Sequence, residues 1–66
     1  MAHPATEQVL KYFTYQHLPE HLQDVSKRCS DLALYMSENL PETPEVTVGL
    51  RKLLEAKDCF VRAKLP

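Results

Sequence analysis

The chain has 66 residues, 44% of them hydrophobic and 26% charged, with a formal net charge of −1. That allows one small domain, is too apolar for a disordered chain, and lacks the basic surplus of a dedicated DNA or RNA binder. Apolar burial and ordering entropy nearly cancel at this length, so a disulfide, a metal or a partner chain is expected to complete the fold.

No apolar run approaches the roughly 18 residues that span a membrane. Met1 to Glu7 carries no basic region leading into an apolar stretch, so no signal peptide is expected. A cytoplasm is the expected location, with Cys29 and Cys59 as reduced thiols.

One glycine and five prolines argue against hairpins of strands and for helices punctuated by proline. The first predicted helix covers 5–13, with Thr6 as a candidate cap and Val9, Leu10 and Phe13 as its apolar stripe. It is too short to be stable alone. A connector over 14–18 follows. The second helix covers 19–40. Its apolar positions Leu18, Leu22, Val25, Cys29, Leu32, Met36 and Leu40 are spaced by 4, 3, 4, 3, 4 and 4, close to a heptad seam that Ala33 and Leu34 widen. The third covers 44–64. Thr43 suits its N-cap, Pro44 its first position and Glu45 its positive dipole end. Its apolar face is Val46, Leu50, Leu53, Leu54, Phe60, Val61 and Leu65.

The fold class is therefore all-α: one domain over 1–66, a short helix followed by an antiparallel two-helix hairpin. A hairpin has no third layer, so Leu22, Val25, Leu32, Leu50, Leu53 and Phe60 are expected to stay partly uncovered. Copies of the chain should cover them in a homo-oligomeric bundle, from dimer to hexamer. Gly49, inside the third helix, costs about 1 kcal/mol relative to alanine. It reads either as tolerated or as a point where another backbone or a ligand comes close.

Enzyme motifs are absent from the sequence, and no catalytic role is expected. His17 and His21 are four apart, but Pro19 stands between them at a helix start, so no metal and no cofactor are expected. The stretch Tyr12-Phe13-Thr14-Tyr15-Gln16-His17 concentrates flat rings at a connector. Such rings either pack the helix end or stack a base, at about 1–3 kcal/mol each. Lys27, Arg28, Arg51 and Lys52 supply cations. Facing copies across a two-fold axis would flank a symmetric anion twice, which suits a cyclic dinucleotide. Lys57 lies near the apolar stripe between Leu53 and Phe60, where it either snorkels or points into a subunit interface.

The aromatic connector Phe13-Thr14-Tyr15, the proline turn and the run Glu45-Val46-Thr47-Val48-Gly49-Leu50-Arg51-Lys52-Leu53-Leu54-Glu55-Ala56-Lys57 resemble phage helical-hairpin proteins. These are the anti-CBASS cyclic-nucleotide sponges and related hairpins of anti-Thoeris type. The resemblance implies a homo-oligomer that binds cyclic di- or trinucleotide immune messengers in the host cytoplasm without cleaving them. It assigns base stacking to Tyr15, with Tyr12 second. It assigns a phosphate contact to Lys27 or Arg28, and a cyclic-trinucleotide site to Arg51 with Thr47 one turn earlier. Gln16 departs from the pattern, which is often basic there, and so does the N-terminal helix. The alternative expectation is a small phage interaction protein that binds and inhibits a host protein. Neither reading involves DNA, RNA or a membrane.

Overall fold

The computed structural model describes residues 4–65, so residues 1–3 and 66 of the expected domain lie outside the described residues. Three helices follow one another: α1 (Pro4–Leu10), extended by a single 3₁₀ turn (Lys11–Phe13), α2 (Glu20–Asn39) and α3 (Pro44–Lys64). Proline sets the boundaries. Pro19 precedes α2 with φ −54° and ψ 147°. Its carbonyl accepts the amides of Leu22 and Gln23 at 2.9 and 3.2 Å. Leu40 turns extended ahead of Pro41, which disfavours helical backbone in the residue before it. Pro44 opens α3, where its missing N–H costs nothing. Thr43 takes the N-cap position with an extended backbone, but its hydroxyl makes no capping bond.

The short N-terminal helix is a third layer. α1 and the 3₁₀ turn lie against the α2–α3 hairpin and build a core of Val9, Phe13, Cys29, Ala33 and Leu50, flanked by Leu10, Val46, Leu53 and Leu54. This corrects the expectation that the hairpin has no third layer. Leu22 and Leu50 are buried, Val25 and Leu53 are half-buried, and Leu32 and Phe60 remain 43% and 55% exposed.

The buried stripe of α2 is also turned from the heptad seam. Leu22, Ser26, Cys29, Ser30 and Ala33 face inward, while Leu32, Leu34, Met36 and Leu40 face out. Small side chains let the 3₁₀ turn press its Phe13 ring close to the helix, and a leucine stripe would hold it off. Ser26 borders one hollow with Tyr12 and Lys57, and Ser30 borders another with Leu10 and Phe13.

Two polar contacts fasten α1 to the hairpin. Thr6 lies inside α1 rather than at its cap and is fully buried. Its hydroxyl donates to Glu42 Oε1 at 2.8 Å and accepts from Thr47 Oγ1 at 3.0 Å, since its one proton is committed to the carboxylate. Lys57 is buried as well, with its ammonium against groups of its own chain. Its ammonium donates to the Tyr12 carbonyl at 2.9 Å, meets Asp58 Oδ1 at 3.5 Å and stands 5.9 Å from the Phe13 ring centre.

The molecule measures 38 × 18 × 17 Å. It exposes 4847 Å², against roughly 4,300 Å² for a compact chain of this mass. Among the described residues no helix is long and apolar enough to cross a membrane.

Candidate functional site

The connector between the 3₁₀ turn and α2 is held from both ends. The Leu18 amide donates to the Tyr15 carbonyl at 3.0 Å. From α2, Gln23 Nε2 donates to the carbonyls of Leu18 at 2.8 Å and Gln16 at 3.4 Å. Tyr15 is thereby fixed, half-buried, in a hollow of about 260 Å³ that it shares with Leu10, Phe13, Asp31 and Leu34. Asp31 accepts the Lys27 ammonium at 2.9 Å. That hydrogen bond, then the Asp31 charge, then Tyr15 hold the lysine's pKa above its usual value. Tyr15 and Lys27 therefore share one neighbourhood around Asp31. Arg28 points elsewhere on α2, reaching Asp24 at 3.5 Å in an exposed pair.

Thr47 and Arg51 form a second group. They line a hollow of about 360 Å³ with Ala5, Glu42, Thr43, Pro44 and Val48, where α1 crosses the interhelical turn. Arg51 also borders a hollow of about 460 Å³ with Ala5, Gln8, Val9, Tyr12 and Leu54. Tyr12, whose ring is 62% exposed, therefore sides with Arg51 and not with Tyr15. The six predicted residues fall into a Tyr15–Lys27 group, a Tyr12–Thr47–Arg51 group and an isolated Arg28.

A third hollow, of about 340 Å³, gathers polar groups not foreseen as a site. It lies between the connector, α2 and the C-terminal half of α3, and includes His17, Ser26, Lys57 and Arg62. Lys57 carried a visible clue, a cation at core spacing after Leu50 and Leu53. Ser26 carried none, because a serine on an amphipathic helix ordinarily faces water.

The cysteines differ sharply. Cys29 is buried in the core and Cys59 is exposed, where Arg62 donates to its sulfur at 3.3 Å. Burial pushes the Cys29 thiol pKa up, and nearby Lys57 opposes the rise. Among the described residues no group of three or more His, Cys, Asp or Glu side chains could hold a metal ion.

The arrangement defines a small three-helix scaffold whose ligand-sized hollows lie where α1 and the connector meet the hairpin. Comparison with family models, with curated proteins and with solved structures gives no match for this chain.

Proposed function

We propose that this chain is a phage sequestering protein of the anti-CBASS type, binding cyclic oligonucleotide messengers in the host cytoplasm without cleaving them. The observation that carries the reading is Tyr15 held by its connector beside Lys27. A fixed ring next to a cation offers a base a stacking surface and its phosphate a counter-charge. Lys27 must leave Asp31 to reach a phosphate, and an exposed pair of this kind is only weakly held. The Thr47–Arg51 hollow supplies a second hydroxyl and guanidinium for a larger cyclic trinucleotide. Exposed Leu32, Met36 and Phe60 offer apolar surface for assembly from dimer to hexamer.

Calorimetry with a panel of cyclic di- and trinucleotides tests this. A member of the panel should bind tightly and be recovered intact after heating the complex. Tyr15→Ala and Lys27→Ala should each weaken it about tenfold or more. Altered nucleotide would point to catalysis. Absence of binding across the panel would leave the host-protein inhibitor. Unchanged affinity in both variants would remove the Tyr15–Lys27 site.

A further inference from the structure

We propose that the crevice between the connector, α2 and the C-terminal half of α3 binds a small phosphate-bearing ligand through Ser26, Lys57 and Arg62, at a place separate from the Tyr15–Lys27 group. Four side chains able to carry positive charge line it, Lys11, His17, Lys57 and Arg62, against the single carboxylate of Asp58. Ser26 is the sharper observation. It is fully buried, it borders the crevice, and its hydroxyl has no hydrogen-bond partner. A buried hydroxyl without a partner destabilises the fold, and an acceptor entering from the crevice would relieve that cost.

The donors are free to serve an anion. Lys57 donates one of its three protons to the Tyr12 carbonyl and pairs with Asp58 at 3.5 Å, so it keeps donor capacity for an anion. Arg62 gives one contact to the weak acceptor Cys59 Sγ and, among the described residues, forms no ion pair. Its guanidinium fork matches the paired oxygens of a phosphate. Burial of the Lys57 stem limits screening, so its charge acts more strongly than a surface lysine's. A crevice of about 340 Å³ stands at the small end of the ~300–1,000 Å³ usual for ligand sites, a size that suits a compact phosphate ester. Leu18 and Val61 give the ester's organic part an apolar rim.

The test is a titration of the whole chain with inorganic phosphate, followed by amide resonances, with acetate and chloride as controls. Saturable shifts should centre on Ser26, Lys57, Val61 and Arg62. Arg62→Gln, an exposed substitution, should weaken phosphate about tenfold, the loss of one charge-assisted contact. Ser26→Ala should weaken it about threefold while raising the melting temperature of the ligand-free protein. Tyr15→Ala and Lys27→Ala should leave phosphate binding unchanged, which separates this crevice from the messenger site. Shifts centred elsewhere, acetate binding as tightly as phosphate, or full affinity in Arg62→Gln would each overturn the proposal.

Discussion

Thr6 shows how much one buried hydroxyl does here. It joins α1 to Glu42 and Thr47, residues 36 and 41 positions away in the chain. Thr6→Val keeps the shape and removes both bonds, leaving the half-buried Thr47 hydroxyl and Glu42 without this partner. The expected cost is about 1–3 kcal/mol. For a domain of this size each kcal/mol lowers the melting temperature by about 4–8 °C, so calorimetry reads it directly; an unchanged melting temperature would mean that water replaces both bonds. Cys29 gives a prediction in pH. Its folded pKa lies above its unfolded one, so above about pH 8.5 the unfolded state loses the proton first and stability falls. Denaturant unfolding of the wild type should therefore weaken more steeply above that pH than unfolding of Cys29→Ala. Parallel pH profiles would show that the thiol titrates alike in both states. Neither role was legible beforehand. Thr6 read as a cap because its residue type suits one, and its partners are set by how α1 lies on the hairpin, which local spacing does not encode.

At the scale of elements, proline made the boundaries readable. Pro19, Pro41 and Pro44 impose the same backbone limits in any context, and α2 and α3 fall within a residue of the expected 19–40 and 44–64. The facing of α2 was not readable, because two stripes compete on it. Leu22, Val25, Leu32 and Met36 carry more apolar area, whereas Ser26, Cys29, Ser30 and Ala33 offer closer approach. A hydrophobicity pattern weighs the first and misses the second, and the Phe13 ring selects the second. Paired substitutions decide which stripe is inside. Ala33→Leu should cost about 1–3 kcal/mol by overpacking a fully buried position. Leu32→Ala should stay within about 0.5 kcal/mol in the single chain. Reversed magnitudes would restore the heptad seam. Gly49 belongs here too, since a Cβ there meets nothing within 4 Å, so within the chain no backbone approach requires the glycine. Gly49→Ala should raise stability by about 1 kcal/mol.

For the whole molecule, the third layer covers one face of the hairpin and still leaves Leu32 and Phe60 exposed and Val25 half-buried. The surface area above that of a compact chain of equal mass is consistent with a fold still short of cover. Charge does not oppose pairing, because a net charge of −1 gives little repulsion between copies. Self-association should therefore appear by light scattering at micromolar concentration as a dimer or larger. Phe60 and Leu32 contribute little to the core of one chain, so Leu32→Glu combined with Phe60→Glu should yield a monomer with unchanged helical circular dichroism. A wild-type mass of 7.6 kDa in scattering would show that the three layers suffice alone. A double variant that still assembles would move the interface to another face, with Tyr35 and Leu40 the next exposed apolar positions on α2 and its C-cap. The outcome also bears on the messenger reading. A monomer offers Lys27 once, whereas a two-fold assembly offers it twice, so affinity for a symmetric cyclic dinucleotide should fall together with assembly in the double variant.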